Sequence, residues 1–157
     1  MPITEAEMTA ARDIWGAGLV AISKADKESG IDAARDTAKK FLTEVYGFDL
    51  GPVLFKPTLA SGDQTFRPTF EGALAYYIGE EPTYPNDQGF GRLGWVKWEH
   101  ITATSFIDGD IALWAGGFKL FNAEGAMTQV DKSFGYKKDE DGVLRIVLHH
   151  SSLPYQP

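Results

Sequence analysis

From Trp95 to Ser151 the chain uses one device four times: a run of alternating apolar and polar residues, stopped by a turn. Trp95–Phe106 leads through Asp108-Gly109 into Ile111–Phe121. Asn122-Ala123-Glu124-Gly125 then turns into Met127–Tyr136, and Asp139-Glu140-Asp141-Gly142 turns into Val143–Ser151. A period of two marks a strand with one buried face, and short glycine-bearing turns join antiparallel neighbours. The C-terminal half is thereby restricted to an antiparallel meander. Inside its second run, Gly116-Gly117 predicts a bulge or a sharp bend.

The residues before Trp95 follow the other period. Residues 4 to 26 read as an amphipathic helix, with Met8, Ala11, Trp15, Leu19 and Ile22 as its apolar stripe. Thr4 and Glu7 have capping-box spacing. Gly16 and Gly18 each weaken a helix by up to about 1 kcal/mol, which suits close approach of a neighbouring element. Ser29-Gly30 breaks the pattern, and Ile31–Tyr46 forms a second helix with Ala34, Ala38, Phe41, Leu42 and Val45 inward. Gly47 stands where a glycine cap belongs. Pro52–Thr58 is a short strand flanked by prolines, at an edge or buried end of a sheet. Thr69 caps a short helix, Phe70 to Ile78, closed by Gly79. Residues 80–94 are a long loop of the kind that walls a site.

Helices followed by strands define an α+β fold: N-terminal helices packed on a curved, mainly antiparallel sheet, with a conical cavity between the layers. With no repeat and no linker, residues 1–157 are read as a single domain. The net charge is −7, and no basic cluster exists to grip a nucleic-acid backbone or an anionic membrane. Zero cysteines exclude disulfides and thiol catalysis. No apolar run of about 18 residues predicts a membrane-spanning helix. Met1–Glu7 is acidic without a signal-peptide core, so a cytoplasmic address is expected, a plastid or a trimmed precursor being compatible with the same residues.

The candidate chemistry lies at the end of the last strand, Leu144-Arg145-Ile146-Val147-Leu148-His149-His150-Ser151-Ser152-Leu153-Pro154. Strict alternation puts Arg145, Val147, His149 and Ser151 on one face and Leu144, Ile146, Leu148, His150 and Ser152 on the other. Each face then carries an imidazole about 7 Å from a hydroxyl. His149 and His150 point oppositely and do not easily share one ion, and no HExxH or His-x-His pair occurs. The expectation is no metal and no cofactor, with His100 and acidic side chains as the remaining candidate ligands.

Three stretches together carry a family resemblance: Phe55-Lys56-Pro57-Thr58-Leu59-Ala60-Ser61-Gly62, Thr69-Phe70-Glu71-Gly72-Ala73-Leu74-Ala75-Tyr76-Tyr77, and the Leu144–Pro154 stretch. Over residues 45 to 155 the chain resembles the iota class of carbonic anhydrase, the metal-free cyanobacterial and algal branch. That class lies within the SnoaL-like, nuclear transport factor 2-like (cystatin-like) superfamily, which also includes the association domain of calcium/calmodulin-dependent kinase II. The resemblance implies reversible hydration of carbon dioxide to bicarbonate without a metal. It places Thr58, Tyr76 and Ser151 on the anion, with His149 alongside, and Phe70, Leu74 and Tyr77 as an apolar floor. Arg145 either faces this pocket and attracts bicarbonate or lies on the sheet surface.

The residue types suit that chemistry. A hydroxyl both donates and accepts, and it rotates to serve a neutral gas or a planar anion. A histidine of ordinary pKa near 6.5 can take a proton from attacking water. Two rivals stand beside this reading. One is a non-catalytic, homo-oligomeric association or ligand-binding module, with Trp95, Trp98, Trp114 and Phe118 as an oligomer face. Its relatives lead to the expectation of a homodimer through the sheet. The other is an isomerase or dehydratase, which needs a carboxylate near Tyr76 and has only Asp131 to offer.

Overall fold

The computed structural model describes residues 1–157. Helix α1 spans Glu5–Ser29 and α2 Ile31–Val45, followed by strand β1, Leu54–Lys56, and helix α3, Phe70–Ile78. The strands β2, Trp95–Asp108, β3, Ile111–Asn122, β4, Met127–Lys138, and β5, Leu144–Ser152, complete the chain. The sheet order is β1-β5-β4-β3-β2; β1 pairs parallel with β5 and every other pair is antiparallel. The helices cover one face, and 28 buried apolar residues form one core between the layers. No helix is long and apolar enough to cross a membrane.

The local signals explain these elements. Thr4 and Glu7 make the reciprocal capping box of α1, and Thr69 accepts from the Gly72 amide to start α3. Both weak points of α1 are close approaches: a Cβ on Gly16 would lie 2.6 Å from the Trp98 ring, and one on Gly18 2.2 Å from that of Phe41. Gly47 departs from expectation. Tyr46 caps α2 in extended conformation, and Gly47 instead donates its amide to Ile146 at 2.8 Å, where an added Cβ would lie 3.2 Å from the Val147 side chain.

Of three register slips in the sheet, two bear on its bend and its facing. The β2–β3 register slips between Thr102 and Thr104, opposite Gly116, where an added Cβ would meet the Ile101 carbonyl at 2.2 Å. The predicted bend is real, although its extra residue sits on β2. A second slip leaves Val147 unpaired between Ile146 and Leu148 on β5. One extra residue reverses the alternation, so Ile146, His149 and Ser151 face the core together.

Arg145 is thereby removed from the face of His149. Its guanidinium binds the Thr43 and Tyr46 carbonyls and the Asp49 and Asp139 carboxylates, and it helps close α2 onto β5. The expectation that strict alternation keeps Arg145 beside His149 is wrong because of that bulge. Trp95, Trp114 and Phe118 are core residues, which removes them from any oligomer face. Asp131 pairs with Gly117 and Ser152 on the outward phase, away from the core and from Tyr76. Asp131, the carboxylate nominated for the isomerase reading, is therefore not in the cavity.

Candidate active site

β1 and β5 run side by side in the same direction, with Phe55 opposite His149 and Lys56 opposite His150. Parallel pairing carries the ends of both strands to the same rim. There the Thr58 and Ser151 hydroxyls meet at 2.7 Å. The Tyr76 hydroxyl on α3 accepts the amide of Leu59 at 3.1 Å, one residue past Thr58, so all three hydroxyls converge on one turn. All three side chains are buried. Burial pushes the Tyr76 phenol up, opposed by the Leu59 amide and the Thr58 hydroxyl, so it stays protonated and able to donate.

Behind the hydroxyls lies a group that sequence reasoning missed. Lys132, on β4, lies 2.8 Å from His149 Nε2 and donates to Ser151 Oγ at 3.0 Å. It is 4% exposed and lies 4.5 Å from the Trp15 ring centre. Burial pushes its ammonium well below the ordinary lysine range, and Lys56 nearby adds to the effect. The signal was present in the sequence: Val130, Lys132, Phe134 and Tyr136 alternate on the core phase of β4, and one of the four is a cation.

His149 is held from both sides. Its ring stacks on Phe55, with centroids 4.7 Å apart, and its Nδ1 lies 2.8 Å from the Tyr46 hydroxyl. Assigning Nε2 as the acceptor from Lys132 puts the ring proton on Nδ1, where it donates to Tyr46. Tyr46 also accepts from the Trp15 indole at 3.0 Å and lies 2.7 Å from the Tyr77 hydroxyl. With both acceptor positions filled, Tyr46 gives its own proton to Tyr77. Burial first, then Lys132 and His150, hold His149 well below its ordinary pKa. It is a neutral imidazole with both nitrogens engaged.

The apolar lining differs from the expected one. Trp15, Phe118 and Phe134 surround the Lys132 amine, and Phe55 covers His149. Phe70 packs edge-on against Phe48 and Leu74 packs on the core, while Tyr77 lies behind Tyr46. A cleft of about 240 Å³ opens beside Tyr76, walled by Leu59 and by Asn86, Asp87, Phe90 and Leu93 of the 80–94 loop. That loop is fixed by Arg67, which binds Asp87 through two bonds of 2.7 and 2.8 Å and also holds the Gly72 carbonyl. No three His, Asp or Glu side chains converge in metal-binding geometry. His150 faces outward, opposite His149, as alternation predicts.

A buried set of hydroxyl donors beside a lysine and a neutral imidazole suits a small oxyanion formed from a neutral precursor. The family model for metal-independent carbonic anhydrases matches residues 6–153. A metal-independent carbonic anhydrase of Nostoc sp. is 46% identical over 154 residues, covering 98% of this chain and 75% of the relative. A cyanobacterial iota-carbonic anhydrase, whose crystal structure was solved with bicarbonate, superposes with a TM-score of 0.98 at 45% identity, over 99% of this chain and 95% of that one. A calcium/calmodulin-dependent kinase II association domain from Xanthomonas campestris superposes at 0.55 and 22% identity, over 99% and 91% of the two chains. The last shows the fold alone.

Proposed function

The chain belongs to the metal-independent carbonic anhydrase family, and from that premise we propose how its buried hydroxyls serve the reversible hydration of carbon dioxide to bicarbonate. The convergence of Thr58, Ser151 and Tyr76 on one buried turn carries the assignment. Thr58 and Ser151 satisfy each other at 2.7 Å and can rotate to donate to an oxygen that enters between them and Tyr76. Bicarbonate has three oxygens, and three neutral donors grip it without the cost of another fixed charge. Donors already aimed at a developing oxyanion supply about 3 kcal/mol each in favourable cases. The cleft beside Tyr76 admits the gas past Phe90 and Leu93, and the aromatic lining keeps bulk water from competing.

The outer face of the sheet exposes Ile101, Phe106 and Leu113 on adjacent strands, which supports pairing with a second copy. The test is proton release from dissolved carbon dioxide, run with and without a strong chelator. The wild type is expected to accelerate it equally in both, and Ser151→Ala to lose on the order of 100-fold. Activity abolished by chelator would overturn the reading. The same preparation is expected to show the dimer's mass by light scattering.

A further inference from the structure

Hydroxyl donors bind the product, but none of them removes a proton from water at neutral pH. His149 is also poorly placed for that task, since its Nε2 already accepts from Lys132 and its Nδ1 faces Tyr46. Lys132 remains. It forms no ion pair with any carboxylate, and the side chains packed on its amine are the rings of Trp15 from α1, Phe118 from β3 and Phe134 from β4. The titratable groups facing it are His149 and, further off, Lys56 on β1; His150 and Tyr46 act through His149. Its two hydrogen-bond partners, His149 Nε2 and Ser151 Oγ, match the two N–H bonds of an amine and leave the nitrogen lone pair as the third position. The Ser151 bond puts that nitrogen 3.0 Å from a hydroxyl assigned to the anion.

We propose that Lys132, as a neutral amine, is the base that takes the proton from the water attacking carbon dioxide, an assignment that rests on the carbonic anhydrase reading of this site. The water oxygen bonds to the carbon while one of its O–H bonds breaks toward Nζ. One C=O π pair moves onto oxygen, so water, carbon dioxide and amine become bicarbonate and a lysine ammonium. The new anion and the new cation neutralise each other within the aromatic lining, beside the Thr58, Ser151 and Tyr76 donors. Once bicarbonate leaves and water refills its place, the ammonium, with no counter-charge among the rings, gives a proton to the Ser151 hydroxyl 3.0 Å away while that hydroxyl gives its own to the water, which resets the amine. His149 is then a positioning residue: its Nε2 orients Nζ, and Tyr46 fixes the tautomer that lets it do so.

Lys132→Met keeps the length and apolar stem of the side chain and removes the base. Its kcat is expected to fall on the order of 100-fold or more with a smaller change in KM. The rise of kcat/KM with pH that belongs to the amine should disappear, and added methylamine should restore part of the rate. A second measurement needs no substitution. Wild-type protein with heavy-nitrogen lysine side chains, studied by NMR at a pH where it is active, should show Lys132 as an amine that becomes an ammonium on saturation with bicarbonate. An ammonium already present without bicarbonate would overturn the assignment. So would a carbamate carbon on Nζ under labelled carbon dioxide, or a Lys132→Met enzyme with wild-type rate and pH profile. A wild type that fails to hydrate carbon dioxide would instead overturn the enzymatic reading itself.

Discussion

Four arginine and lysine side chains are buried in this molecule, and two of them, Arg67 beside the Tyr76 ring and Lys132 beside His149, are treated in opposite ways. Arg67 is clasped: Asp87 binds it through both carboxylate oxygens, two backbone carbonyls accept from it, and the Tyr84 ring lies 4.4 Å away. Lys132 has no carboxylate, only an imidazole nitrogen, a hydroxyl and aromatic faces. A planar guanidinium keeps its charge under any surroundings and suits a rigid clasp. An ammonium yields its proton when desolvated, and so suits a place where charge must come and go. Arg67 holds the wall of the cleft, and Lys132 lies beside the hydroxyls proposed to bind the anion.

Removing a partner from each region should separate the two most sharply. Asp87→Ala leaves Arg67 buried and unpaired, and denaturant unfolding is expected to show a loss of about 3–5 kcal/mol. A change within about 1 kcal/mol would mean that the clasp is not structural. The second region should respond to pH. His149 is depressed in the native state, so between its native pKa and the ordinary 6.5 the unfolded chain binds a proton that the folded one does not. Stability contributed this way is complete above 6.5 and lost as pH falls through that window. His149→Gln, measured by thermal melts at stepped pH, should lose that part of the acid slope. The smallest effect is expected from Lys132→Met, whose stability should stay within about 1 kcal/mol of the wild type. Shedding a desolvated amine offsets two lost hydrogen bonds, in contrast to the outcome at Arg67.

Much of this architecture is legible in local signals, because caps, turns and periodicity act over a few residues. The α1 capping box, the Thr69 and Gly79 ends of α3 and the hairpin turns lie where the residues predict. The Thr58 and Ser151 hydroxyls meet, the Tyr76 hydroxyl accepts from Leu59 beside them, and His149 is joined to Ser151 through Lys132. What escaped depends on pairing between distant segments. The Val147 bulge is set by how β5 meets β4, and it moved Arg145 to the other face. Tyr46 reads as the last turn of a helix until the fold brings it to His149, 103 residues away. Lys132 was legible but overlooked: a lone cation on the apolar phase of a strand needs a reason to be buried.

The three-residue β1 is the shortest strand in the sheet and runs alongside β5 in the same sense. Thr58 and Ser151 therefore leave the sheet at one end, while the Asp139–Gly142 hairpin lies at the other, some nine residues of β5 away. At about 3.3 Å per residue that separation is close to 30 Å. Glu140 and Asp141, exposed at the far tip, are thus places to carry a label far from the proposed anion site, while Asp139 stays committed to Arg145. The near rim has no such freedom, because one residue added between Lys56 and Thr58 would part the two hydroxyls.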